Sequence, residues 1–427
     1  MNMKLIKQRD FFLLILGKLV SLLGSNMQQF ALSLYVLSLT GSATIFASML
    51  SISIVPRLLL SPVAGVFGDW FDRKRSIVFL DFMNAIIIGV YAAIFIFNGS
   101  LTIPMIYILV ILLEITEIFF HSAMAAVIPS MVDKEELMEA NSFNSMVMNI
   151  GQLISPIIGA ALYGAFGLKM ILIANSISFL LSAISEMFIN IPKTNKKPDK
   201  IDIKSFKASL MEGIHIIKKN KFISTMISLG TLINFSVSPL FSVGLIFVIK
   251  EILKATDFQF GLFETVFSLS MIAAPIIGAG FIKRVKVGRL CYISFMLVGL
   301  VILLMAPIPS KFILNSFGSN LVPYVLLMII TFIVGLLVTV ANIALGTLFD
   351  KATPVELMGR TSTVFNFAVT VFIPIGQMIF GFLYDIIQPG YVIMISGFIL
   401  ILSVLKYRKK LFEADEEERM GDVIDEI

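Results

Sequence analysis

The stretch LLEITEIFFHSAM, residues 112–124, sets Glu114, Glu117 and His121 at i, i+3 and i+7 in sequence that is otherwise almost entirely apolar. On a helix that spacing places two carboxyls and an imidazole on one face. These are groups that bind and release protons when neighbours and burial tune them. A charge at the centre of a bilayer costs on the order of 3 kcal/mol, so a set of three implies a use. Arg57, in a second apolar stretch, is the natural partner. It lies about 18 Å along its helix from Asp69, and Glu117 lies about 18 Å along its own from Pro129, at 1.5 Å per residue. The matching depths predict Arg57 beside Glu117, with Glu114 close enough for the cluster to titrate as a unit. An inert structural pair is the alternative.

The elements that must position these residues follow from composition. Of 427 residues 58% are apolar and 14% charged, and the mean hydropathy is +0.96, against an apolar share of about 45–50% in soluble domains. Apolar runs long enough to cross ~30 Å of hydrocarbon as helices recur throughout. Twelve spans are expected, near 11–38, 43–68, 76–98, 101–128, 137–165, 168–190, 222–249, 257–282, 289–308, 321–349, 357–385 and 389–406. The first is too long for the apolar part of a cleaved leader and is read as a retained helix. With both termini inside the cell, 27 of the 33 Lys and Arg fall on the cytoplasmic side, 4 outside and 2 within spans. The net charge of +5 therefore reports orientation and not nucleic-acid binding. Cys291 stands alone and forms no intrachain disulfide.

The chain divides into a six-span half at 1–190, a polar linker at 191–221, a second half at 222–406 and an acidic tail at 407–427. In the linker, Ile203, Phe206, Leu210, Ile214 and Ile217 share one helical face, which suits a helix on the cytoplasmic membrane surface; His215 beside them is read as solvated. EELMEANSF (135–143) and VELMGRTST (355–363) echo each other 220 residues apart, as do SPVAG (61–65) and APIIG (274–278). Duplicated halves suit alternating access around a central site. The same offset carries the acidic positions of span four onto Val334, Leu337 and Ala341 in span ten. A fold that accepts apolar residues there does not require the charges.

Two motifs carry a resemblance. GVFGDWFDRKRS (65–76) sets Gly65, Asp69, Arg73, Lys74 and Arg75 in the loop after span two, and GQLISPIIGA (151–160) sets Gly151, Pro156 and Gly159 in span five. The first resembles the cytoplasmic signature of the major facilitator superfamily, with Trp70 and Asp72 departing from it. The second resembles the span-five motif of that family's antiporters, with Ser155 and Ala160 in place of glycines. The chain is similar, more narrowly, to the macrolide-efflux and siderophore-exporter branch, through TGSA (40–43), FHSAMAAVIPSMVDKEEL (120–137), MEGIHIIKKNK (211–221) and MGRTSTVFN (358–366).

The resemblance implies an all-α membrane protein of twelve helices in two pseudo-symmetric halves. It further implies that Asp69 latches onto the start of span eleven at Gly359 and Arg360, and that span four lines a central cavity. Many members carry an arginine in span four for proton coupling; here Glu114 takes that place, which unsettles the usual scheme. Asn26, Asn234 and Asn342 lie on spans that would face the cavity, as do Lys18, Gln28 and Gln29; Glu186 and Glu264 receive no role. The expectation is a secondary transporter in a bacterial cytoplasmic membrane, exporting an amphiphilic or apolar compound against proton entry. Glu114 and Glu117 would carry the proton. Its partners would be a small molecule, protons and lipid; it would act as a monomer without cofactor or metal. Uptake by symport or uniport, or a receptor or scaffold on the same fold, is the alternative. No phosphate-binding loop, zinc spacing or nucleophile elbow appears, so an enzyme is not expected.

Overall fold

The computed structural model describes residues 4–125, 127–192, 221–282, 285–353 and 358–425. The linker helix and His215 lie outside the described residues. Every regular element among those described is helical, and eleven helices are long and apolar enough to cross a membrane. One of them, Leu137–Met187, has 51 residues. Unbroken it would run about 76 Å at 1.5 Å per residue, more than twice the hydrocarbon thickness. It breaks at Gly167, whose φ of 69° and ψ of −171° are non-helical, so it supplies spans five and six and the crossings number twelve.

Span ends are set by local chemistry. Span one, Arg9–Thr40, stops at Gly41, which adopts φ 60° and returns its N–H to the Leu37 carbonyl, as glycine past a helix end does at little steric cost. Span three, Arg73–Asn98, starts at Asp72, whose carboxylate accepts from the Arg75 N–H at 3.0 Å, and stops at Gly99 in the same left-handed conformation. Lys74 donates to the Met187 carbonyl at 2.8 Å and so satisfies the last turn of span six.

Two spans depart from simple helix. Span seven starts as Lys221–Ser236, and after Pro239 it winds as π-helix over Leu240–Gly244 and Val248–Ile252. Proline has no N–H to give the preceding turn, and the wider winding takes up the slack. Span eleven is split into Met358–Thr370 and Phe372–Ile386 four residues behind Pro374, whose missing donor frees the Thr370 carbonyl. Span twelve, Pro389–Asp425, remains helical through the acidic tail.

The chain folds as two compact units, Met1–Gly41 with Ile52–Ile201 and Thr256–Thr265, and Ser42–Ser51 with Asp202–Ala255 and Val266–Ile427. In the first unit a buried apolar cluster joins Phe11 and Leu14 of span one, Ile77 and Leu80 of span three, Phe120 and Met124 of span four and Phe143 of span five. The Phe11 and Phe143 rings meet edge to face, centroids 6.2 Å apart. That cluster grips span four through Phe120, Ala123 and Met124.

Candidate functional site

Span four, Ile103–Ala125, is fastened by two hydroxyls. Thr116 donates to Asn84 Oδ1 on span three, and Ser122 donates to the Ala64 carbonyl on span two. Between these anchors the helix cannot rotate freely, and Glu114, Glu117 and His121 share one face. They line a cavity of about 440 Å³ with Arg57, Ser61 and Ser122.

The pairing inside the cavity corrects the expectation drawn from depth. Arg57 Nε lies 2.6 Å from Glu114 Oε1, not beside Glu117. Position along an axis does not fix azimuth, and the long guanidinium arm reaches the acid one turn away. Glu117 instead takes His121, Nε2 to Oε1 at 2.9 Å, across an i,i+4 step. Exposure separates the two acids: the Glu114 side chain is 12% exposed and that of Glu117 36%, while their partners Arg57 and His121 are 58% and 56% exposed. The arrangement is an ion pair on a shielded acid beside an acid–imidazole dyad on a more open one. A dyad of that kind can pass a proton between a carboxylate and an imidazole.

Lys18 on span one donates to Asn144 Oδ1 on span five at 2.6 Å, and its charge feels that of Glu117. Gln28 is buried and accepts from Asn175 at 2.8 Å, an interhelical bond of the ordinary kind. Asn26 is half-buried and lines neither this cavity nor the one below. In the second unit Asn234 and Asn342 meet in a cavity of about 330 Å³ with Asn366, Phe349 and Phe365. There Asn234 donates to the Val369 carbonyl at 3.0 Å.

The small residues of span five are packing surfaces. A β-carbon at Gly151 would come within 2.5 Å of Leu22, and one at Gly159 would lie 3.4 Å from the Met27 backbone. Gly261, in the opening turns of span eight, comes so close that a β-carbon would sit 2.7 Å from the Pro156 carbonyl. Gly65, Asp69, Gly359 and Arg360 lie on helices, but their side chains fall outside the described residues; Arg73 is the first residue of span three.

Two acids went unread in the sequence. Asp81, in span three, is 1% exposed; its signal was a lone carboxylate in an apolar run, the same signal that drew attention to span four. Asp385, in the last turn of span eleven, accepts from the Ser42 hydroxyl at 2.7 Å, the Ala43 N–H at 2.8 Å, and the Thr44 N–H and hydroxyl at 3.0 and 2.6 Å. Nothing in local sequence links positions so far apart.

Comparison with known proteins follows the same direction. The sequence profile of the Major Facilitator Superfamily matches residues 14–377. Macrolide efflux protein A of Streptococcus pyogenes is 22% identical over 391 residues, covering 92% of this chain and 93% of the relative. The staphyloferrin A transporter of Staphylococcus aureus is 23% identical, covering 68% and 70%. Among solved structures, a bacterial homologue of the iron transporter ferroportin in an inward-facing state superposes with a TM-score of 0.72 at 15% identity, over 95% of this chain and 98% of that one. The nucleoside transporter NupG gives 0.73 at 12% identity, over 96% and 99%.

Proposed function

We propose, from the premise that this chain belongs to the Major Facilitator Superfamily, that it exports an amphiphilic or apolar organic compound across a bacterial cytoplasmic membrane in exchange for protons. The observation that carries the reading is the composition of the span-four cavity: two carboxyls, a guanidinium and an imidazole around about 440 Å³ of space in a helix that is otherwise apolar. The names of the relatives, a macrolide exporter and a siderophore transporter, support a bulky amphiphilic substrate. The small-residue packing of span five supports the antiporter motif read there.

In this mechanism Arg57 and Glu114 hold a fixed charge pair that keeps the cavity polar. Glu117 and His121 bind the proton while the cavity meets the side of higher proton activity and release it on the other. Substrate contacts the apolar wall of this cavity near Ile118. Asp69 would favour one conformation by resting at the positive end of a helix.

The test is flux in inverted vesicles under an imposed pH gradient, with a macrolide as the first probe. Wild-type protein should accumulate it only when the lumen is acidic. Glu114→Gln with Glu117→Gln should lower gradient-driven flux by about tenfold or more, a change of about 1.4 kcal/mol in the driving step, with expression unchanged. Wild-type flux in the double variant would remove the acids from the mechanism, and accumulation under the opposite gradient would reverse the direction.

A further inference from the structure

Three oxygen-bearing side chains are sealed inside the first unit and line neither cavity. Asp81 on span three and Glu186 on span six are each 1% exposed, and Ser182, one turn before Glu186, is fully buried. Both carboxyl oxygens of Asp81, Oε2 of Glu186 and Oγ of Ser182 lack a hydrogen-bond partner within bonding geometry. The Ser182 hydroxyl nevertheless faces the Asp81 carboxyl, and the two carboxyls lie within electrostatic reach of each other. Span one closes the site, because a β-carbon at Gly17 would stand 3.3 Å from Ser182 Oγ.

The supply of hydrogens decides what can occupy such a place. Ionised carboxylates only accept, and the single hydroxyl hydrogen of Ser182 cannot serve four oxygens. The charged groups around it offer no cation. Span four contributes Glu117, whose charge acts on Asp81. Lys18 of span one donates to Asn144 and is not among the groups whose charge acts on either carboxyl. Among the described residues no ion pair involves Asp81 or Glu186. Two buried carboxylates without a counter-ion are not sustainable in an apolar interior. A calcium ion would want six or more oxygens, and these three side chains carry five. A hydrogen ion needs only the pair.

We propose that Asp81, Ser182 and Glu186 form a proton-binding site in the interior of the first unit, in which the two carboxyl groups hold one acidic hydrogen between them and the Ser182 hydroxyl faces them. Its occupancy responds to the charge on Glu117, so the site is a second place, behind the cavity, where a proton is held. For its part in transport this rests on the antiport reading, but its existence does not.

The experiment therefore avoids flux. Purified full-length protein is treated with dicyclohexylcarbodiimide, which converts carboxyl groups that carry a hydrogen in apolar surroundings into acylureas, and labelled positions are mapped by mass spectrometry from mildly acidic to alkaline buffer. Asp81 or Glu186 should be labelled, less so as pH rises, and equally in sodium and choline chloride. Glu117→Gln removes a neighbouring negative charge and should move half-labelling to lower pH. Protection by sodium at fixed pH would overturn the proposal in favour of a metal-ion site. Against exclusion of the reagent, thermal midpoints are followed over the same pH range. The wild type should lose stability as pH rises, because the folded chain holds a proton that the unfolded chain has already lost, and the loss should level off once the folded chain gives that proton up. Asp81→Asn with Glu186→Gln, whose amides carry their own hydrogens, should flatten that slope. Equal slopes would overturn the proposal whatever the labelling shows. A failure of the Glu114 and Glu117 variants to alter flux would leave both readouts untouched, so the two readings fall separately.

Discussion

The ion pair between Arg57 and Glu114 is asymmetric, and the asymmetry predicts how it responds to mutation. Glu114 is largely shielded while Arg57 is 58% exposed. Truncating the arginine strands a shielded acceptor that had a charged bond of 2.6 Å; truncating the acid releases the arginine into the open cavity. Arg57→Ala should therefore cost about 2 kcal/mol of stability, the range for a bond to a charged group, and Glu114→Gln clearly less. The double variant should be more stable than Arg57→Ala alone, because no orphaned charge remains. Thermal melts of the four proteins in one detergent check this, and additive losses would show that the pair is not coupled. At this scale the sequence was legible in part. The helical spacing of Glu114, Glu117 and His121 put them on one face, and the structure keeps them there. Which acid meets Arg57 depends on the rotation of span two against span four, and that is set by tertiary anchors such as Thr116 to Asn84 and Ser122 to Ala64, which local pattern does not encode.

At the scale of elements, two contacts within single units govern how helix ends are held. Span two, Ala43–Trp70, has unsatisfied N–H groups at its start, like any helix, and Asp385 satisfies those of Ala43 and Thr44 together with two hydroxyls. Gly381, one turn earlier, allows the approach, since a β-carbon there would lie 2.5 Å from that of Ala47. Asp385→Ala should cost about 1 kcal/mol, as loss of a capping side chain does, and should raise amide exchange at Ala43–Ala47 before any other part of span two. Unchanged exchange there would mean that the cap is redundant. In the first unit, Gly261→Ala forces a methyl against the Pro156 carbonyl and the Ala160 side chain; backbone cannot yield as a flexible side chain does, and a loss of about 1–3 kcal/mol is expected. Melting unchanged by that methyl would show that the close approach is not held tightly. Spans were legible because length and apolarity suffice to find a crossing. The π-winding after Pro239 and the partners of Asp385 were not, because each depends on which distant helix comes alongside.

At the scale of the whole molecule, the number of crossings fixes whether the two termini share a side, and that number turns on one residue. If Leu137–Met187 crossed once, the chain would cross eleven times and its ends would lie on opposite sides. The break at Gly167 makes the count even, so both ends share a side. Were that side the cytoplasm, as the distribution of Lys and Arg predicts, the short turn at Gly167 would lie outside, with Lys169, exposed beside it, as a point of access. In a background with Cys291→Ser, Lys169→Cys should react with a membrane-impermeant maleimide added to intact cells, while Glu413→Cys, in the acidic tail, should react only after permeabilisation. Labelling of Glu413→Cys from outside, with Lys169→Cys reacting only after permeabilisation, would invert the orientation. Labelling of both variants from the same side would instead mean that spans five and six do not form the hairpin that the left-handed glycine permits. The charge rule alone could not distinguish these outcomes, because an odd and an even count can each be drawn through the same basic loops; the backbone at Gly167 is what separates them.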